Sequence, residues 1–183
     1  ARFVASERLM ISQIAQIVPS GPSAAAVTAQ IRYYLEPARD APGFAPRSYF
    51  PADLTRFFLS APQLVEHEGD TEVFATRMDL SSGPKTFHYS AGAPAAFEQA
   101  VVNAVAYWNR AFGREVFRSQ MAQPGVTALD GVHDFFIQWV DDRSRGLGIG
   151  FLQADPETGL IGSGAVYISQ GWVEAYTRPF NIL

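Results

Sequence analysis

Apolar and polar residues alternate along two stretches near the beginning of the chain, and this pattern predicts a β-hairpin within the first 37 residues. The first stretch alternates imperfectly, with apolar residues at Leu9, Ile11, Ala15 and Ile17. The second alternates without a break, with apolar residues at Val27, Ala29, Ile31, Tyr33 and Leu35. A period of two is typical of strands that bury one face. The segment between them, Pro19-Ser20-Gly21-Pro22-Ser23, has the composition of a turn.

Prolines interrupt this pattern between residues 38 and 63, at Pro42, Pro46, Pro51 and Pro62. Proline fixes its own φ and lacks an N–H, so the segment is unlike a helix or an interior strand. It also contains several aromatic residues, which disordered linkers usually lack. We therefore expect an ordered connector. Alternation returns at residues 72–80 and 86–90, and it predicts two further strands.

Residues 94–113 have the period of a helix. Apolar residues recur at intervals of three and four, at Phe97, Val101, Ala104, Val105, Trp108 and Phe112. Pro94 is expected in the first turn, where a missing N–H has no consequence. Gly113 is expected to end the helix, because glycine readily adopts the left-handed conformation found there.

Strands are predicted again at residues 115–121, 133–140 and 165–169, and a second helix near residues 172–176. Six glycines lie between residues 146 and 164, and the first three, within residues 146–150, predict a flexible loop. The order of elements predicts an α+β fold: an N-terminal hairpin segment followed by a mixed β-sheet with one long helix packed on it. We expect a β-rich accessory segment with the proline-rich connector over residues 1–80, and the sheet-and-helix part over residues 81–183.

The composition narrows the possible chemistry. The chain has 183 residues, no cysteine, three histidines and a net charge of −4. Without cysteine, thiolate zinc sites, iron–sulfur clusters, cysteine nucleophiles and disulfides are excluded. Lys85 is the only lysine and the arginines are scattered, so a nucleic acid is not an expected partner. The sequence has no run of 18 apolar residues, so no membrane-spanning helix is predicted.

Several residue clusters are candidates for binding or catalysis. The glycine-rich Gly146-Leu147-Gly148-Ile149-Gly150 follows a strand, but no helix start follows it, as a phosphate-binding loop requires. The histidines are His67, His88 and His133, and none lies three or four residues from another, the spacing that places two zinc ligands on one helix face. We expect structural roles for both features.

The acidic residues are also expected to be structural. Glu66, Glu68 and Asp70 lie in one polar segment, and Asp141-Asp142 follows a predicted strand. A pair of carboxylates facing each other across a cleft would suit a glycosidase, whereas acids clustered in a loop are typical of a solvated surface. Asp155-Pro156-Glu157-Thr158-Gly159 has the composition of a tight turn, with calcium binding as an alternative. From the residues alone, no catalytic group is assigned.

Taken in order, several segments resemble the N-terminal part of the catalytic domain of large bacterial zinc-dependent metallopeptidases of the metzincin (matrixin-like) type. The segments are Phe87-His88-Tyr89, the helix end Tyr107-Trp108-Asn109-Arg110-Ala111-Phe112, the strand Asp134-Phe135-Phe136-Ile137-Gln138-Trp139-Val140, and the turn Asp155-Pro156-Glu157-Thr158-Gly159-Leu160-Ile161. The resemblance covers residues 86–183, and the proline-rich piece around Pro46-Arg47 and Tyr49-Phe50 is more loosely similar to the segment that precedes that domain.

The chain departs from the family pattern at two positions. Gln138 stands where the family has arginine, and Leu160 stands where it has glutamate. The family's H-E-x-x-H-x-x-G-x-x-H helix, with its zinc-binding histidines and general-base glutamate, follows the last strand of this region, and the sequence contains no such motif. The resemblance therefore assigns no catalytic residue and no metal ligand here. It implies that zinc belongs to the parent protein, bound downstream of residue 183.

The resemblance also implies a substrate surface. We expect the strand after the glycine-rich segment to be an edge strand with which an extended peptide pairs, so that backbone hydrogen bonds provide affinity and side-chain pockets provide preference. The predicted peptide-binding residues are Gly164, Ala165, Val166, Tyr167 and Ile168. The expected partners are the C-terminal remainder of the catalytic domain and a peptide or protein substrate.

The leading hypothesis is that the chain is the N-terminal fragment of a secreted, periplasmic or envelope-associated bacterial zinc endopeptidase, and that it is inactive alone. An alternative is a non-enzymatic binding or accessory module that recognises a peptide, a glycan or a partner domain. A glycosidase that uses the loop acids is a third alternative. Zinc binding or hydrolysis by the isolated chain would contradict the leading hypothesis.

Overall fold

A computed structural model describes residues 2–5, 8–17, 26–35, 42–48, 63–67 and 70–177. The chain forms two compact units. The first comprises residues 1–38 with Leu129–Val132, and the second comprises residues 39–128 with His133–Leu183. The functional division predicted between residues 80 and 81 stays a prediction.

The first unit contains a three-stranded antiparallel sheet in the order β1-β2-β3. Its strands are β1 (Arg2–Ala5), β2 (Arg8–Ile17) and β3 (Val27–Leu35). The antiparallel pairing of β2 with β3, in which Ile11 faces Tyr33, confirms the hairpin predicted from alternation. The predicted turn at residues 19–23 lies outside the described residues. The guanidinium of Arg32 donates to the carbonyl of Leu129 over 2.9 Å, which fixes the returning segment against β3.

The second unit is built on a five-stranded mixed sheet in the order β7-β6-β8-β10-β9. Its strands are β6 (Lys85–Tyr89), β7 (Phe117–Met121), β8 (Phe135–Val140), β9 (Gly148–Ala154) and β10 (Ile161–Ser169). The pairs β6–β7, β6–β8 and β8–β10 are parallel, and β9 alone runs antiparallel to its neighbour β10. A separate antiparallel hairpin consists of β4 (Gln63–His67) and β5 (Asp70–Phe74). With two helices, these sheets confirm the α+β class.

The long helix α1 (Ala95–Phe112) follows the predicted pattern closely. Gly113 ends it in the left-handed conformation at φ 65°, as expected. Pro94 lies one position earlier than predicted: its ψ of 141° is extended, so it is the residue before the first turn. Phe97 and Val101 are buried against Tyr89 and Ala93, with Ile137, Trp139 and Ile168 packed around them. Full burial of such a side chain contributes about 1.5–3 kcal/mol, so this cluster fixes α1 on the sheet.

The second helix α2 (Gln170–Thr177) begins two residues earlier than predicted. Ser169 precedes its first turn, and the Ser169 hydroxyl accepts the N–H of Trp172 over 3.2 Å, which is the usual side-chain cap of a helix start. A short 3-10 helix spans Ala128–Asp130. In the described part of the chain, neither α-helix is long and apolar enough to cross a membrane.

The strand predicted over residues 72–80 is shorter in the structure, where β5 ends at Phe74. Beyond it, the Arg77 N–H donates to the Gly159 carbonyl and the Ile161 N–H donates to the Arg77 carbonyl, over 2.9 and 2.8 Å. This segment is therefore held by the turn between β9 and β10. The described part of the proline-rich connector, residues 42–48, is also ordered by pairing: the Ala75 N–H donates to the Arg47 carbonyl over 2.8 Å.

Candidate functional site

The predicted peptide-binding strand is not an edge strand. Gly164, Ala165, Val166, Tyr167 and Ile168 all belong to β10, which pairs in parallel with β8 on one side and antiparallel with β9 on the other. The expectation of an edge position was wrong because the glycine-rich segment, predicted to be a flexible loop, contains strand β9. A peptide can pair with the backbone of β10 only if β9 is displaced.

The edge of the sheet on that side is β9, which spans seven residues. The Gly164 N–H donates to the Asp134 carbonyl beside β8, 2.8 Å away. The backbone N–H and C=O groups of successive strand residues point to opposite sides of the strand. Since those of Gly164 point toward β8, those of Ala165 and Tyr167 point toward β9. Their partners there are Phe151 and Ile149.

The same alternation continues across β9. Gly148, Gly150 and Leu152 therefore direct their N–H and C=O groups away from β10. No other strand among the described residues pairs with β9. This row of outward backbone groups is a template for an additional strand.

The side chains of β9 lie on the two faces of the sheet in turn. Leu152 stands opposite Gly164 on the face that packs against α1, and it is 49% exposed. Ile149 and Phe151 lie on the opposite face and are 40% and 54% exposed. The Phe151 ring meets the Tyr167 ring at an angle of 74°, with 6.1 Å between the ring centroids. Both faces of the edge are thus apolar and accessible.

The two edges of this sheet differ in their protection. Edge strand β7 carries Arg118, whose guanidinium pairs with Glu115 over 2.7 Å, and charges on an edge discourage pairing with another strand. Strand β9, with the sequence GIGFLQA, has no charged residue. An uncharged apolar edge on a folded domain is a feature that needs a binding partner or a cover.

The turn between β9 and β10 holds one end of this edge. Asp155 accepts the N–H groups of Glu157 and Thr158 on Oδ1, over 2.7 and 3.2 Å, which confirms the predicted tight turn. Gly159 adopts a left-handed φ of 73°, and a β-carbon there would lie 2.6 Å from the Ala75 carbonyl oxygen. Only glycine fits this approach, so the turn is locked against residues 74–77.

The other end of β9 is held by the start of α2. The Trp172 ring lies against Gly148, where a β-carbon would come within 2.7 Å of it. The buried Ser169 hydroxyl accepts the Leu147 N–H over 2.9 Å and donates to the Arg145 carbonyl over 2.5 Å. The Asp142 carboxylate accepts the N–H and hydroxyl of Ser144, and these hydrogen bonds lower its pKa. This carboxylate therefore stabilises a turn, in agreement with its expected structural role.

His88 and His133 stack face to face, with 3.5 Å between ring centroids and 10° between ring planes. Burial lowers the pKa of His88, the neighbouring His133 lowers it further, and Asp134 opposes both effects. Zinc ligands direct ring nitrogens within the ring plane toward a common point about 2.0–2.1 Å away, and two parallel stacked rings do not converge in this way. The pair does not fit the zinc that the resemblance implies. The side chain of His67 lies outside the described residues.

Among the described residues, no group of three or more histidines and carboxylates is placed to hold a metal ion. The side chains of Glu66, Glu68 and Asp70 lie outside the described part. Asp79, which the sequence did not single out, accepts the hydroxyl and N–H of Ser81, and these bonds lower its pKa to about 2. It holds a turn before β6, so its carboxylate has a structural role.

An open apolar groove of about 730 Å³ lies between α1 and the sheet. Residues of α1, of the sheet and of the segment before β6 line it, including Leu80, Phe87, Val105, Ile137, Leu152 and Ile161. The C-terminal part of the predicted apolar stripe of α1 faces this groove, and Phe112 there is 47% exposed. The N-terminal part of the stripe therefore packs on the sheet, whereas its C-terminal part leaves apolar surface exposed in the groove.

Strand β9 was not predicted because its glycines, Gly148 and Gly150, were interpreted as part of a flexible loop. Ile149, Phe151 and Leu152 are strand-favouring or apolar, and the glycine-containing turn Asp155–Gly159, followed by Leu160, connects their strand to β10. This is a hairpin signal that could have found the strand. Its position at the edge depends on pairing with distant segments and has no local signal.

Comparison of the chain with protein-family models, with curated proteins and with solved structures found no match. The resemblance to the metzincin-type metallopeptidases stays a prediction.

Proposed function

We propose that this chain binds extended peptides by strand addition along β9, and that it is the peptide-aligning sheet of a zinc-dependent endopeptidase. The observation that carries the proposal is the outward-facing, uncharged edge formed by residues 148–154. An added strand would hydrogen-bond to the backbone groups of Gly148, Gly150 and Leu152. Because these contacts involve only the backbone, they would bind peptides of many sequences, as an endopeptidase requires.

The rigidity of the edge supports this function. One end of β9 is held by the Asp155 turn with Gly159 against Ala75, and the other by Trp172 against Gly148. An edge already fixed in its strand conformation needs little ordering when a peptide pairs with it, which favours affinity.

The endopeptidase assignment rests on the resemblance and on the groove beside α1. The partner implied by the resemblance is the remainder of the catalytic domain, and the apolar surface around Val105, Phe112 and Leu152 is a suitable surface for it. Zinc and the general base are assigned to that remainder, since the stacked histidines do not fit a metal site. Within residues 1–183 the proposed role is to bind and orient the peptide.

Gly150→Pro tests the proposal directly. Proline removes the outward N–H of residue 150 and places its ring where the peptide backbone would lie, while the bonds between β9 and β10 are kept. We expect affinity for an extended heptapeptide, followed by backbone amide chemical shifts, to fall by about tenfold, since one hydrogen bond of about 1 kcal/mol is lost and the ring obstructs pairing.

Gly150→Ala is the matched control, because it keeps the N–H and its β-carbon meets Val166 Cγ2 at an ordinary 3.7 Å. It should bind peptide as the unmodified chain does. Peptide-induced shifts that are absent from residues 148–154, or equal affinity of the two variants, would refute the proposal. Hydrolysis of the peptide by residues 1–183 alone would refute the assignment of the catalytic groups to the remainder.

A further inference from the structure

From the side chains that flank the β9 backbone, we infer that this edge prefers peptides with two large apolar residues separated by one residue. The inference rests on the proposed function and names its substrate class. Ile149 and Phe151 lie on the same face, two residues apart, and both are substantially exposed. Residues of an added strand that stand opposite them would lie on that face too, also two residues apart.

The pairing geometry strengthens this preference. If an added strand runs antiparallel to β9, its hydrogen-bonded pairs form at Gly150 and Leu152, because these residues direct their backbone outward. The positions opposite Ile149 and Phe151 are then non-hydrogen-bonded pairs, in which the Cα atoms are about 4.5 Å apart and side chains are closest. Aromatic and β-branched pairs at such positions are the favourable ones.

The residue between the two apolar ones faces α1 and meets Gly150. A β-carbon at Gly150 would contact only Val166 Cγ2 and the Ala165 carbonyl oxygen, at 3.7 and 4.0 Å, so the space beside the strand is open there. The equivalent space at Gly148 is filled by the Trp172 ring. The central residue of the peptide thus meets no side chain at Gly150, and selection falls on its two neighbours.

On the same face of β9, a polar residue follows Ile149 and Phe151. The next residue on the same face after Phe151 is Gln153, whose side-chain oxygen accepts the Ser163 hydroxyl over 2.9 Å. A peptide residue opposite Gln153 gains no apolar partner. In an antiparallel peptide that residue lies two positions before the residue opposite Phe151. The structure therefore favours a polar residue there and apolar residues opposite Phe151 and Ile149.

The test compares two heptapeptides of equal composition, acetylated and amidated: Lys-Thr-Phe-Ser-Phe-Thr-Lys, with spaced phenylalanines, and Lys-Thr-Phe-Phe-Ser-Thr-Lys, with adjacent ones. The spaced peptide can form both apolar pairs on one face, and the adjacent peptide only one. A favourable cross-strand pair changes affinity by up to about fivefold. We expect the spaced peptide to bind about fivefold more tightly, measured by the shifts of β9 amides.

The double variant Ile149→Thr with Phe151→Thr should remove this difference, and threonine preserves strand propensity at exposed positions. Met121→Thr on the opposite edge strand β7 is the matched control, since Met121 is 45% exposed, and it should keep the difference. Equal binding of both peptides with shifts confined to β9 would overturn the inference and leave the proposed function standing. No binding of either peptide would overturn both.

Discussion

Gly159→Ala tests whether the end of β9 is held by the close approach of two backbone segments. Gly159 has a φ of 73°, and an added β-carbon would lie 2.6 Å from the Ala75 carbonyl oxygen and 3.3 Å from Phe74 Cβ. Neither neighbour is the flexible end of a side chain. The backbone must therefore shift, and the hydrogen bond from the Arg77 N–H to the Gly159 carbonyl, now 2.9 Å, would be strained.

Two contributions determine the size of the loss. The left-handed conformation costs a residue with a β-carbon about 1–2 kcal/mol, of which about 0.4–1 kcal/mol is offset because alanine restricts the unfolded chain. Forcing a β-carbon into a filled space costs about 1–3 kcal/mol more. These contributions sum to about 1–5 kcal/mol, and we expect Gly159→Ala to lower the free energy of unfolding by about 3 kcal/mol.

Gly125→Ala separates the two contributions. Gly125 also has a left-handed φ, 83°, but nothing lies within 4 Å of its added β-carbon, so this variant should lose only about 1 kcal/mol. Urea unfolding followed by tryptophan fluorescence measures both, because Trp108, Trp139 and Trp172 all lie in the second unit with these glycines. Equal losses in the two variants would refute the role given to the approach at Ala75.

Two further predictions concern side-chain contacts in the second unit. Asn109→Ala should lower the free energy of unfolding by about 3 kcal/mol, because Asn109 accepts the Val116 and Phe117 N–H groups and donates to the Phe117 carbonyl. Asn103→Ala, on the exposed surface of the same helix, is the urea-unfolding control, and a loss as large as that of Asn109→Ala would contradict this reasoning. Thermal stability should fall as the pH drops below 6.5, since burial lowers the pKa of both His88 and His133 and the unfolded chain then binds protons that the folded chain does not. His133→Phe should reduce the change in melting temperature between about pH 7 and about pH 5, and an unchanged difference would count against the histidine pair.

Features that depend on neighbouring residues were predictable from the sequence. The apolar stripe of α1 and the glycine at its end determine a helix locally, and both were found where expected. The hairpin of β2 and β3 was likewise evident from alternation. The Asp155 turn was predicted because aspartate oxygens bond to the backbone of the next few residues, which is a local interaction.

Features that depend on distant pairing were not predictable in the same way. Residues 164–168 have the composition of a strand, but only the order of all five strands shows that β10 is interior and β9 is the edge. The role of Gly159 depends on Ala75, which lies far away in the sequence. The glycines at residues 146–150 predicted flexibility, whereas Gly148 in β9 lies beneath Trp172. In β10, Gly164 lies beneath Leu152. Glycine here marks close packing.

These close approaches explain why the backbone of β9 is already in strand conformation at the edge of the sheet. Charged side chains on an edge strand usually prevent it from pairing with another strand, as Arg118 does in β7. In β9, contacts at Gly148 and at the turn after Ala154 hold both ends of the strand against β10, and the pairing shifts register between Ile161 and Ser163. The same contacts that fix its backbone also keep Ile149 and Phe151 in register on one face. In the proposed function, a peptide that pairs with this edge would meet backbone donors and apolar side chains already in position, and binding would require ordering of the peptide alone.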